Sequence, residues 1–368
     1  MAGRLEQRIQ SFDWLRGVAV VFMVQTHTVM FLLEPSLKSS TLYRVLMRFD
    51  GLVAPSFIFA AGFSLALVQV RGAGKPGRVR KTLRRIGEVL AVATFVNWCW
   101  FPVVREPKWL LRIDILHCIG LSLLLALPVL VALASRPRVL RWVMLGLAVA
   151  AFAVTPLARD VTGWPSLFLN QSSGALFPLL PWAGYVLLGA SAGATAALGS
   201  LRELVVWIVF LCVAGFAVWM GLSLDHPQRV FWVMSFVLAL LFIEQRWADA
   251  RVLKAVTVLG TSSLAAYCMH ELMLFYGAWW VLVIALLIAW QAQPVRGAVT
   301  ALAAAPLFAY ESIGRVRGLA MAHFFRDQAG WALYWVLFAV LLVATYGIVV
   351  VIDALYRRLD AALARATP

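Results

Sequence analysis

Apolar stretches of membrane-spanning length recur along almost the whole chain. The first covers 12–33, and others follow at about 50–70, 84–103, 113–134, 139–157, 177–198, 204–224, 230–246 and 256–276. A bilayer core needs about 20 consecutive apolar residues per helix. Within it the backbone must satisfy its own hydrogen bonds, and a helix does so locally. The expected fold class is therefore all-α, a polytopic transmembrane helix bundle. A last span is clear at about 329–352, whereas 278–291 and 298–310 are short and interrupted by Pro294 and Pro306. The expectation is about 10–12 spans. Composition agrees: 63% of the 368 residues are hydrophobic and 13% charged, against about 25% charged in an ordinary soluble domain. That excludes disorder, a disulfide scaffold and almost any soluble enzyme. One transmembrane domain is expected over 1–355, with a short basic cytoplasmic tail at 356–368. The first stretch is too long for a signal-peptide core and lacks a small-residue cleavage site, so it reads as mature structure.

Charge gives the orientation. Lys and Arg number 32 against 17 Asp and Glu, a net charge of +15. The segment 71–85 carries Arg71, Lys75, Arg78, Arg80, Lys81, Arg84 and Arg85 with no acid. Basic loops stay on the cytoplasmic side. Counting from this loop puts the N-terminus inside, together with 135–141, 246–254 and the tail bearing Arg357, Arg358 and Arg365. Both termini inside require an even number of spans. No basic stripe with interleaved aromatics stands out, so nucleic acid is not an expected partner. Trp98, Trp100, Trp109, Trp164, Trp182 and Trp331 fall near span ends, as an interfacial belt requires. Cys99, Cys118, Cys212 and Cys268 lie in or beside apolar runs without metal-type spacing, and read as packing residues. Gly184, Gly189 and Gly193 read as small residues for close helix packing. The loop 158–176 is rich in Gly, Ser and Asn, which suits either a surface near a polar substrate or a plain turn.

Ionisable side chains inside a bilayer are costly, and each is a functional candidate. His27 lies 15 residues beyond Phe12, about 22 Å along a helix, in the outer half of the first span. Asp50 is expected to begin the second span, and Asp114 with His117 the fourth, all from the outside. His270 and Glu271 lie about 14 residues into the ninth, which starts inside. These six are thus expected at one level: His27, His117 and His270 as catalytic candidates, Asp50, Asp114 and Glu271 in support. The bland alternative is a histidine bonded to a neighbouring helix and acids solvated near headgroups. His226 and His323 read as solvated loop residues. At the inner end Asp13 and Arg16 share a helix face, either as an ion pair closing the helix or as an anchor for an anion. A guanidinium fork suits phosphate.

These residues also carry a resemblance. "SFDWLRGVAVVFMVQTH" resembles the first-helix signature of transmembrane acyltransferases: an acid, then Leu-Arg-Gly, then a His about ten residues on. "FDGLVAPSFIFAAGFSLAL" is similar to the second helix of the heparan-α-glucosaminide N-acetyltransferase branch, and "RIDILHCIGL" to its "LQRIG" helix. "FPLLPWAGYVLLGA" and "LGTSSLAAYCMHELML" resemble later segments. His117 and Cys118 stand where that branch has Gln and Arg. The resemblance implies a multi-pass enzyme, in a bacterium of the inner membrane, that takes an acyl group from cytoplasmic acyl-CoA. The group, most simply acetyl from acetyl-CoA, passes to an amino or hydroxyl group of a sugar-like acceptor on the other side. Asp13 and Arg16 would hold the CoA and His27 would act in transfer, with no metal expected. The lipid bilayer is the remaining partner, and a homo-oligomer is compatible with the sequence. Two other classes remain open. One is a transporter or exporter using the membrane His and Asp residues as a proton relay, although no repeat symmetry is visible. The other is a non-catalytic protein on this scaffold.

Overall fold

The apolar runs form helices. The structure is a computed structural model that describes residues 9–100, 106–172, 174–276 and 320–366. In chain order the α-helices are α1 (Gln10–Leu32), α2 (Thr41–Asp50), α3 (Val53–Arg71), α4 (Arg78–Trp100), α5 (Ile115–Ala132), α6 (Pro137–Val154), α7 (Ser166–Leu169), α8 (Leu179–Ala196), α9 (Leu201–Leu222), α10 (Asp225–Trp247), α11 (Arg251–Thr261), α12 (Ser263–Glu271), α13 (Met321–Phe325) and α14 (Trp331–Ala366). The described residues contain no strand, only an isolated parallel bridge between Leu33 and Ala329.

Among the described residues, eight segments are long and apolar enough to cross a membrane, or nine if α11 and the helix after it count as one bent span. The protein is an integral, multi-pass membrane protein. Helix α4 is not among the eight: its first two turns hold Arg78, Arg80, Lys81, Arg84 and Arg85. The uncertain stretches 278–291 and 298–310 lie outside the described residues.

Two expected spans differ in detail. Asp50 does not begin a helix. It ends α2, a separate amphipathic helix of nearly three turns beyond the first connection, started by Ser40, whose hydroxyl accepts from the Tyr43 N–H at 3.3 Å. The expected straight span at 256–276 is broken at Ser262, where the chain bends by 78°. The polar run Thr261-Ser262-Ser263 interrupts the apolar pattern there, and the Thr261 hydroxyl bonds back to the Val258 carbonyl at 3.1 Å.

The chain divides into two compact units, residues 1–15 with 54–248, and residues 16–53 with 249–368. In the first, α8 is the most enclosed element and packs against α5, α6 and α9. Its small residues permit this. A Cβ on Gly189 or Gly193 would run into the Phe59 or Phe63 carbonyl of α3, and one on Gly184 into the Phe152 ring. The packing reading of these glycines holds. Glu244 at the end of α10 caps the start of α1: its carboxylate accepts the Gln10 and Ser11 N–H groups at 2.8 and 3.0 Å, and the Ser11 hydroxyl as well. Those donors have no partner within the helix, and a negative charge suits its positive end.

Aromatic residues fill the region around the start of α10. Trp182, expected in an interfacial belt, is instead buried with Phe177 and Tyr185. His226, expected in a solvated loop, lies in the first turn of α10, 3.0 Å from the Tyr185 hydroxyl. His323 is exposed on α13. Cys118 is buried as packing, while Cys212 and Cys268 are half-buried.

Candidate functional site

Among the described residues, the second unit contains a tight cluster of three titratable side chains, His27, His270 and Glu271. Helix α1 carries His27 five residues before its end, and that end is firmly held. The last carbonyls of a helix lack intrahelical partners. Here the Asp327 N–H bonds the Phe31 carbonyl at 3.1 Å, and the Gln328 and Ala329 N–H groups bond that of Leu32 at 3.1 and 2.9 Å. Lys38 adds a staple, donating to the Met30 carbonyl and to Asp327, both at 2.8 Å. Lower down, Gly17 lets α1 approach α11 closely, since a Cβ there would strike the Val256 carbonyl.

The other two members sit at the end of α12, where the helix gives way to a π turn at Leu272–Tyr276. His270 is fully buried and Glu271 nearly so, whereas the His27 side chain keeps 24% of its surface. His27 Nδ1 is 2.8 Å from His270 Nε2 and 3.3 Å from Glu271 Oε1. The two rings are 18° from coplanar with centroids 5.0 Å apart, so these nitrogens face each other near both ring planes.

Hydrogen bonding fixes the protons. His270 Nδ1 lies 3.0 Å from the Ala266 carbonyl. A carbonyl only accepts, so Nδ1 of His270 carries the hydrogen and its Nε2 is the acceptor. His27 Nδ1 must then be N–H, directed at His270 Nε2 and Glu271 Oε1. The remaining nitrogen, His27 Nε2, keeps its lone pair. This is the arrangement of a base oriented by a second histidine and a carboxylate.

A second polar group lies in the same unit. Both Asp50 oxygens, the Gln25 amide and the Tyr334 hydroxyl are buried without a well-formed hydrogen bond among the described residues, with Thr26 beside Asp50. Tyr334 lies close to both Gln25 and Asp50. Gln25 and His27 are two residues apart, about 200° around α1, so the two groups flank opposite sides of that helix.

The remaining candidates are placed as follows. Asp114 precedes α5, its carbonyl accepting the Cys118 N–H at 2.9 Å. His117 is buried in the first turn of α5, with Nε2 3.5 Å from the Thr94 hydroxyl and Nδ1 without a partner among the described residues. Both belong to the other unit. Asp13 is buried and Arg16 half-buried in the first two turns of α1. Sequence reasoning did not single out Tyr334, which looks like one more aromatic of a span end. Gln25 offered a signal, an amide inside an apolar run. Glu244, the cap of α1, was also missed, since 233 residues separate it from Ser11.

A polytopic helical membrane protein with a buried histidine pair and carboxylate defines the class. The particular family follows from comparison with known proteins. Residues 8–221 match the family model described as heparan-alpha-glucosaminide N-acetyltransferase, catalytic, and the chain belongs to that family, a family of membrane transferases. The match takes in His27, Asp50, Asp114 and His117, and ends before His270 and Glu271. No curated protein matches the chain.

Proposed function

We propose that the protein transfers an acyl group, most simply acetyl, from cytoplasmic acyl-CoA to an amino or hydroxyl group of a sugar-like acceptor on the extracytoplasmic side. In a bacterium the membrane would be the inner one. The observation that carries this reading is the contact of His27 Nδ1 with His270 Nε2 and Glu271 Oε1, which leaves Nε2 of His27 as a base.

The mechanism follows from those protons. His27 Nε2 takes the proton of the acceptor N–H or O–H as the heteroatom attacks the thioester carbonyl carbon. The C–S bond breaks, the acyl group stays on the acceptor, and the CoA thiolate takes the proton back from His27. Glu271 stabilises the transient imidazolium, and His270 holds the ring in its tautomer. General-base help of this kind contributes about 100- to 10,000-fold. Arg16, with Asp13 beside it in sequence, anchors the CoA phosphates. Arg16 and His27 are eleven residues apart on α1, about 17 Å along the axis, a gap for the extended pantetheine arm to bridge. Asp50 remains a supporting candidate.

One observation favours a second reading. A buried carboxylate in a membrane protein, such as Asp50, is what a proton relay in a transporter uses. The test uses purified protein in nanodiscs with label on the acetyl group of acetyl-CoA, with and without amino sugars. The expected result is CoA release and label transfer by wild type, lost in His27→Ala. Release that is unchanged in folded His27→Ala removes the assignment. No CoA binding combined with solute flux driven by a pH gradient establishes the transporter instead. Neither binding nor flux leaves a non-catalytic scaffold.

A further inference from the structure

The geometry of the histidine pair points to more than a shared proton. Three ligand-type atoms converge in one buried place: His27 Nδ1, His270 Nε2 and Glu271 Oε1, all within 4.8 Å of one another. Their separations are 2.8, 3.3 and 3.9 Å. Ligand atoms about 2.0–2.1 Å from a tetrahedral ion stand roughly 3.3–3.4 Å apart, and the three separations bracket that spacing. We propose that His27, His270 and Glu271 form a binding site for one divalent transition-metal ion of the zinc type, with a fourth position open to water.

Three further features fit such an ion. His270 donates its Nδ1 hydrogen to the Ala266 carbonyl at 3.0 Å. This is how a metal-binding histidine is usually oriented, and it aims the Nε2 lone pair into the cluster. Two imidazole nitrogens and a carboxylate oxygen form a ligand set suited to zinc. Finally, His270 and Glu271 are buried while His27 keeps 24% of its side-chain surface, so access for a fourth ligand lies on the His27 side. Cysteine spacing, the only metal signal weighed in the sequence, does not reveal this site, because its ligands lie 243 residues apart.

The ion and the base exclude each other. Bound to metal through Nδ1, the His27 ring carries its hydrogen on Nε2 and cannot accept a proton there. Zinc should therefore silence acyl transfer. That consequence rests on the function proposed above; metal binding itself does not.

The experiment uses the full chain in nanodiscs, stripped with a chelator and titrated with Co2+ and, separately, Zn2+. Four-coordinate Co2+ reports by its visible d–d absorption, and bound Zn2+ is counted after desalting. The expected result is one ion per chain, held at least tenfold more weakly in His270→Ala and in Glu271→Gln. His323→Ala, altered at an exposed histidine, should bind as wild type. Thermal melting and size-exclusion profiles confirm that each variant is folded. Absence of the Co2+ bands, or equal binding by the His27→Ala/His270→Ala double variant, overturns the site. Metal binding combined with no acyl transfer by the stripped, metal-free protein keeps the site and removes the function. Transfer that ignores saturating Zn2+ on a loaded site removes the base assignment alone.

Discussion

His27 and His270, 243 residues apart in sequence, bring Nδ1 and Nε2 to 2.8 Å. One backbone carbonyl decides what that contact means. Because Ala266 O takes the Nδ1 hydrogen of His270, the pair has one self-consistent neutral arrangement, and it ends on a free Nε2 at His27.

Changing the third member tests the arrangement without removing it. Glu271→Gln keeps the size of the side chain but removes the charge that stabilises the His27 imidazolium. Loss of the acid from such an array costs up to about 10,000-fold. The expected result is a fall in kcat of at least about 100-fold with KM for acyl-CoA little changed, read from steady-state CoA release. A KM effect alone would place Glu271 in binding.

Glu244 should contribute to stability through the start of α1. Its carboxylate satisfies the Gln10 and Ser11 donors, and loss of a helix cap costs about 0.5–2 kcal/mol. Glu244→Ala should lower the thermal midpoint in detergent, and Glu244→Gln, which keeps one acceptor oxygen, should lower it less. Equal midpoints for wild type and Glu244→Ala would show that the cap is dispensable.

Two glycine substitutions should move stability in opposite directions. A Cβ at Gly189 meets the Phe59 carbonyl, whereas one at Gly146 in α6 meets nothing within 4 Å. Overpacking costs about 1–3 kcal/mol, and replacing an unconstrained helical Gly by Ala gains about 0.5–1 kcal/mol. Gly189→Ala should therefore melt early and Gly146→Ala at or above wild type. The order of the three midpoints is the readout.

Asp50→Asn probes the other polar group. Both Asp50 oxygens are buried; the Thr26 hydroxyl beside them donates to the Phe22 carbonyl, and a poorly compensated buried charge is costly. The neutral isostere should leave the thermal midpoint unchanged or raise it. A clear drop would mean that the carboxylate has a stabilising counterpart.

Much of the architecture was legible because a bilayer imposes length and apolarity on each span. The runs behind α1, α5, α6, α8, α9, α10 and α14 could be read directly. So could the small-residue faces of α8, since glycines recurring in a span imply close approach. The break at Ser262 was harder to see, because three small polar residues in an apolar run also occur in straight helices. Depth along a helix placed His27, His270 and Glu271 at a common level, but not their faces, which depend on how α1 and α12 pack. Depth alone also grouped Asp114 and His117 with them; those two lie at the start of α5, in the other compact unit. Asp50 was read at the head of a span because apolarity rises after it. The amphipathic run before it, Thr41–Asp50, forms a helix of its own.

The clamp on the end of α1 has a consequence for how the protein is made. His27 lies on α1, and the end of that helix is completed by residues 327–329, far later in the chain. Early segments of a chain generally fold before later ones are synthesised, but here α1 waits for a segment made long after it. A nascent chain stalled between the two can hold a membrane-inserted α1 and still have no finished site.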